Sequence, residues 1–256
     1  MAALDPPHCV LITGASSGIG AALARAYAGP GVTLALSGRD DARLDAVAEA
    51  CRAAGAEVRT ATIDVCDGGS LSAWIEDVDD AAPLELVIAN AGVSAGTGGG
   101  GETDEQTRRI LAINVDGVVN TVLPALARMR ARRRGQIAIM SSLAAFRGFP
   151  GAPAYCASKA AVRVWGEALR GHLHDDGIGV SVICPGYVAT PMTAVNSFAM
   201  PMLMDADRAA RIIRRGLARN KARIAFPWPM YALVCLIAAL PPACTDALLR
   251  TLPAKE

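Results

Sequence analysis

Residues 9–20 read Cys-Val-Leu-Ile-Thr-Gly-Ala-Ser-Ser-Gly-Ile-Gly, an apolar run that passes directly into three glycines spaced G-x-x-x-G-x-G. An unbroken apolar run of this length suits a strand buried on both faces. The alanine-rich segment that follows predicts a helix near Ile19–Ala28, so the helix begins within the glycines. Glycine lets such a turn tighten and lets a ligand approach the backbone. The helix N-terminus adds free amide donors and a positive dipole end, which together suit a pyrophosphate. The spacing differs from the common G-x-G-x-x-G dinucleotide pattern, so the rest of the chain must carry the reading.

Outward from this turn, β-type runs alternate with helical patterns. Strands are predicted in 32–38, 57–64, 84–90, 135–142, 178–186 and, shorter, 222–226. Between them lie helices over 41–55, 69–79, 104–134, 153–175 and 205–219. Strict alternation with apolar strands implies a parallel sheet covered on both faces. The expected architecture is therefore α/β: a single-domain, Rossmann-type doubly wound fold with seven parallel strands. In such a sheet, sites form outside the carboxyl ends of the strands.

Composition narrows the function classes. Of 256 residues, 52% are hydrophobic and 19% charged, enough for a large core and too apolar for disorder. A net charge of +1 gives no electrostatic reason to expect nucleic acid. The one basic cluster, Arg128 to Arg134, falls where a helix ends, and cations there complement its dipole. Cysteines at 9, 51, 66, 156, 184, 235 and 244 have no metal-like spacing, and His8, His172 and His174 form no ligand set, so no metal site is expected. An odd cysteine count and an opening without a secretion signal point to a reducing, cytoplasmic setting.

Downstream of the glycine turn lie Asn90-Ala91-Gly92, Asn114, Ser142 and Tyr155-x-x-x-Lys159. With Thr13-Gly14-Ala-Ser-Ser-Gly18-Ile-Gly20, in this order and spacing, they resemble the short-chain dehydrogenase/reductase family over about residues 8–190. The resemblance implies an oxidoreductase that interconverts a carbonyl and an alcohol. It implies Tyr155 as general acid/base, and Lys159 as the residue that lowers the tyrosine's pKa and holds the nicotinamide ribose. Ser142 would hydrogen-bond the substrate oxygen, with Ser141 a nearby competitor, and Asn114 would hold a relay water. A tyrosine and a lysine four apart share a helix face, which makes the pairing geometrically sound.

The resemblance also implies the cofactor contacts. Gly14, Ser16, Ser17, Gly18, Ile19 and Gly20 would cradle the pyrophosphate, and Asp64 and Val65 bracket the adenine. Asn90, Ala91 and Gly92 would line the cofactor, with Pro185, Gly186, Val188 and Thr190 around the carboxamide and pyrophosphate. Ser37-Gly38-Arg39 has no acid at the end of the second strand, and Arg39 resembles a 2′-phosphate ligand, which favours NADP(H) over NAD(H). Asp40 and Asp41 follow at once and could pair with Arg39.

Residues 191–220 correspond to a lid and helix, and 221–256 to the last strand and an apolar tail. Met192, Met200, Met202 and Met204 either adapt to a bulky lipophilic substrate or pack on the core. The apolar run Met230–Leu240 is too short to span a bilayer; it predicts a buried helix or subunit interface, or else a peripheral membrane contact. The resemblance implies a homodimer or homotetramer. The rival readings are a non-catalytic cofactor-binding protein on the same scaffold and a membrane-interface scaffold resting on the tail.

Overall fold

The computed structural model describes residues 5–94, 101–196 and 198–249. Of the expected apolar tail, residues 250–256 lie outside those described. The first strand, β1 (Cys9–Thr13), is buried along its whole length and runs into helix α1 (Gly18–Tyr27). Then come β2 (Thr33–Gly38), α2 (Asp41–Ala53), β3 (Glu57–Thr62), α3 (Gly68–Ala81) and β4 (Leu86–Ala89). The middle of the chain holds α4 (Asp104–Leu111), α5 (Gly117–Arg132), β5 (Gly135–Met140), α6 (Pro153–His172) and β6 (Ile178–Pro185). The chain continues with α7 (Pro191–Ala194), α8 (Ala206–Ala218), β7 (Arg223–Phe226), α9 (Trp228–Ala239) and α10 (Pro242–Leu249).

All seven strands pair in parallel in the order β3-β2-β1-β4-β5-β6-β7. The order reverses between β1 and β4, which opens a crevice at their carboxyl ends. Strand residues alternate between two cores. Val10, Ile12, Leu34 and Leu36 pack against α1, α2 and α8, while Leu11, Val87 and Ile139 pack against α3, α5 and α6. The expected doubly wound sheet is therefore the one observed.

Two expectations change. The helix predicted over 104–134 is two helices joined by a π turn at Ala112–Asp116. Asn114 sits within this turn and is wholly buried. Polar residues inside a helix weaken it, and single π turns commonly accompany functional sites. The apolar tail is not a buried helix either. Only Val234 of α9 is buried, whereas Trp228 is 73% and Leu236 62% exposed.

The arginine run is an ion-paired surface. Arg128 bonds Asp80, Arg130 pairs with Asp176, Arg132 grips Asp79 through two donors, Arg133 donates to the Asp175 carbonyl, and Arg134 pairs with Glu85. With four of its five guanidiniums facing carboxylates, the run is largely neutralised, which weakens it as a stripe for phosphates.

Candidate active site

The glycine turn is held from two sides. Gly14 and Gly18 adopt φ of +66° and +55°, a left-handed conformation that strains other residues. A Cβ on Gly20 would stand 2.2 Å from the Gly14 carbonyl oxygen, so this glycine serves close packing of α1 on the turn. Asn90 leaves the end of β4, and its Nδ2 donates to the Thr13 carbonyl at 2.9 Å and the Gly14 carbonyl at 3.2 Å. Thr13 Oγ1 accepts in return from the Asn90 N–H at 3.2 Å. The side chain of Asn90 thus locks the turn.

Above this turn lies a cleft of about 600 Å³. Gly14, Ser16, Ser17, Gly18, Ile19, Arg39, Asp64, Val65, Asn90, Ala91, Gly92, Pro185, Gly186, Val188 and Thr190 all line it, with Ser142, Tyr155 and Lys159 at one end. Of the residues expected at the site, Gly20 and Asn114 stand behind the lining. Ser17 caps α1 with no side-chain hydrogen bond, which leaves the first-turn amides free of a side-chain acceptor beside the cleft. Glycine backbone, uncapped amides and an arginine at the far end are the donor set a dinucleotide phosphate requires. Arg39 is half exposed and faces Asp64 at 3.9 Å. The expected competitors are occupied elsewhere: Asp40 caps α2 and bonds Arg43, and Asp41 accepts from Thr62.

β5 ends at Met140, so Ser141 and Ser142 emerge beyond the ladder. Ser141 Oγ donates to the Lys159 carbonyl at 2.8 Å, which removes it from competition with Ser142. Ser142 Oγ donates to the Pro185 carbonyl at 3.5 Å and accepts from the Ala144 N–H at 3.1 Å, opening a short 3-10 turn, Leu143–Ala145, beside the Tyr155 side chain. Asn114 Oδ1 accepts from the Val93 N–H at 2.8 Å, while Nδ2 donates to the Val93 carbonyl and to Ser158 Oγ. Both ends of its amide are therefore engaged by protein, and the side chain fixes the path of the chain past Gly92. A Cβ on Gly92 would lie 3.1 Å from Lys159 Nζ, so glycine keeps the lysine's place open.

Two residues missed in the sequence support this helix. Ser158 receives Asn114 and donates to the Tyr155 carbonyl at 2.8 Å. Glu102 accepts from the Ala154 N–H at 2.6 Å and the Tyr155 N–H at 3.4 Å. It supplies the cap that Ala152, at the N-cap of α6, cannot. Neither link between elements has a local signature, because Asn114 lies 44 residues from Ser158 and Glu102 lies 52 from Ala154.

The pKa directions differ from the simplest expectation. Burial pushes the Tyr155 hydroxyl up to about 12, with the Ser142 hydrogen bond acting the other way. Burial outweighs any help from Lys159, whose Nζ stands 5.9 Å from the ring centroid and donates to the Met140 carbonyl at 3.0 Å. Burial lowers the Lys159 ammonium to about 8. The unfolded lysine keeps its proton to higher pH than the folded one, so folding is favoured progressively as pH rises above 8. Relative to Lys159→Met, the wild type should gain stability from about pH 8 to 10.5, by on the order of 3 kcal/mol. Urea unfolding of both proteins across that range measures the difference; a constant gap would contradict the assigned burial.

Next to Ser142 and Tyr155 opens a second cavity of about 320 Å³. Leu143, Phe149, Tyr187, Phe198, Met230 and Val234 form its apolar walls, and no charged residue lines it among those described. Of the four methionines of the expected lid, only Met192 reaches it. Met204 packs in the core, Met202 is 53% exposed, and Met200 accepts a hydrogen bond from Asn196. The apolar character comes instead from aromatic and aliphatic residues scattered through the chain.

A crevice built for a dinucleotide, ending at a serine, a tyrosine and a buried lysine, defines a nucleotide-dependent oxidoreductase. Comparison with known proteins agrees: a family model described as short chain dehydrogenase matches residues 8–199. The chain belongs to the short-chain dehydrogenase family, whose members use NAD(P)(H). It is 38% identical over 243 residues to an uncharacterized oxidoreductase of Myxococcus xanthus (strain DK1622), covering 94% of this chain and 96% of that one. Among solved structures it is similar to a short-chain dehydrogenase from Sphingobium yanoikuyae in complex with NADPH, at 26% identity and TM-score 0.77, covering 96% of each chain. A short chain dehydrogenase from Mycobacterium paratuberculosis bound to NAD shares the fold at 24% identity and TM-score 0.77, covering 88% of this chain and 98% of that one.

Proposed function

We propose that the protein is an NADP(H)-dependent reductase of a bulky, apolar ketone or aldehyde. The observation that carries this reading is the uncharged cavity opening onto the Ser142 and Tyr155 hydroxyls, beside a cleft whose far end carries Arg39. When bound, the nicotinamide supplies the hydride that adds to the carbonyl carbon. Ser142 Oγ hydrogen-bonds the carbonyl oxygen, where negative charge develops. Tyr155 gives its hydroxyl proton to that oxygen, yielding the alcohol. A tyrosine held neutral by burial carries, at neutral pH, the proton that the reductive direction needs. Lys159, while protonated, offsets the charge left on the tyrosine, and Asn114, Ser158 and Glu102 fix the two side chains in place.

The test is turnover of an apolar ketone panel against charged keto acids, with NADPH and NADH in parallel. Apolar ketones with NADPH are the expected pair; a preference for charged substrates would overturn the reading. Hydrogen bonds to charged groups contribute about 1.5–3 kcal/mol. Arg39→Ala should therefore raise the Michaelis constant for NADPH roughly 10- to 100-fold and leave that for NADH nearly unchanged. Equal effects on both cofactors would remove Arg39 as the phosphate ligand.

Seven free thiols suit a reducing, cytoplasmic setting. Exposed Leu123 and Val164 on α5 and α6 suit association into a homodimer or homotetramer. The exposed apolar face of α9 suits a further subunit contact or peripheral contact with a membrane. Sedimentation with and without liposomes separates these two roles of the tail.

A further inference from the structure

Behind the substrate cavity, five side chains from four elements form one cluster, with the Phe146 ring at its centre. The Arg163 guanidinium lies 4.7 Å and the Arg223 guanidinium 5.2 Å from the centroid of Phe146. Both arginines bind one carboxylate: Arg163 Nη1 donates to Glu167 Oε2 at 3.0 Å, and Arg223 Nε to Glu167 Oε1 at 3.0 Å. Arg223 spends its remaining fork on Tyr231 Oη, at 2.8 Å. Tyr231 in turn meets Phe146 edge-on, at 5.4 Å between centroids. The cluster joins α6, β7, α9 and the turn that follows Ser142.

The same two segments that enter this cluster also build the cavity wall. Phe146 follows Leu143, and Tyr231 follows Met230; Leu143 and Met230 face the cavity. Gly186 meets the same two residues: a Cβ there would come within 2.9 Å of Met230 Sδ and 3.5 Å of Leu143 Cδ1. Apart from this cluster, helix α9 is held by Val234, its only buried residue, and by half-buried Met230, which pack with Leu143, Val182 and Cys184. Arginine suits this task, because its planar fork can serve a carboxylate and a hydroxyl while its face rests on a ring.

We propose that the Arg163–Glu167–Arg223 bridge, stacked on Phe146 and bonded to Tyr231, is a positioning device that sets where α9 lies and so which apolar substrates the cavity admits. The role rests on the proposed carbonyl reduction for its substrate side, but the placing of α9 does not. None of the five residues lines the cavity or the dinucleotide cleft. They act through Met230 and Leu143.

Two variants of graded severity test it in the full chain: Tyr231→Phe, which removes one hydroxyl, and Arg223→Met, which removes the fork. Amide hydrogen exchange within 230–239 should accelerate by about 10-fold or more in both, with β4 amides unchanged. The Michaelis constant for a bulky apolar ketone should rise roughly 5- to 10-fold, while kcat, the small-ketone Michaelis constant and NADPH affinity hold. Wild-type exchange in α9, or a proportional change for both ketones, would overturn the proposal. Faster exchange spread through the sheet would also overturn it, by showing a general structural role. If the wild type reduces no ketone, the proposed function fails, and the exchange measurement still decides whether the bridge places α9.

Discussion

Tyr155→Phe should leave a folded protein that binds NADPH as the wild type does and reduces ketones roughly 10²- to 10⁴-fold more slowly, the range of a lost general acid. The ring stays, so its packing beside Ser142 and Cys156 stays with it. What disappears is the only hydroxyl that both lines the cavity and sits on the helix held by Glu102, Ser158 and Asn114. The measurement is single-turnover oxidation of NADPH, alongside cofactor titration by fluorescence. Turnover within a factor of about three of wild type would sink Tyr155 as the proton donor, because general-acid catalysis contributes far more than that.

Ser142→Ala should cost about 10²- to 10³-fold in kcat, the effect of removing one donor aimed at developing oxyanion charge. It also removes the hydrogen bond that counters burial at Tyr155, so the tyrosine should titrate higher still. Ser141→Ala is the control, since its hydroxyl is spent on the Lys159 carbonyl. A hydroxyl that only braces backbone should lower stability by about 1 kcal/mol and kcat far less than its neighbour does. The reverse ranking of the two serines would reassign the site.

How much of this was legible in the chain depends on the range over which each feature is encoded. The glycine turn, the strand–helix alternation and the Tyr155–Lys159 spacing are local patterns, and the structure places them as read. The position of Arg39 at the cleft was legible for the same reason: it follows its strand by one residue. Glu102 was not, because a helix cap is recognised by its neighbour in sequence and this one acts across 52 positions. The methionines leave two readings open in sequence, because only packing decides which of four neighbours faces a cavity: Met192 does, and Met204 packs in the core. Helix α9 misled for a related reason: a helix apolar on every side has no stripe to show which face turns inward.

The π turn at Ala112–Asp116 has a consequence for how this helical rod tolerates change. A residue advances an α-helix by about 100°, so one extra residue in a turn shifts the phase of everything beyond it by that angle. Upstream, Ile110 is the inward residue of α4; downstream, Val118, Val122, Ala125 and Met129 form the ridge of α5 on the sheet. Asn114 stands at the seam, where one rod changes the face it presents. Deleting any one residue of 112–116 would restore a regular helix and rotate either the amide away from Val93 and Ser158 or the ridge away from the sheet. In this segment the count of residues matters to the site as much as the amide that Asn114 supplies.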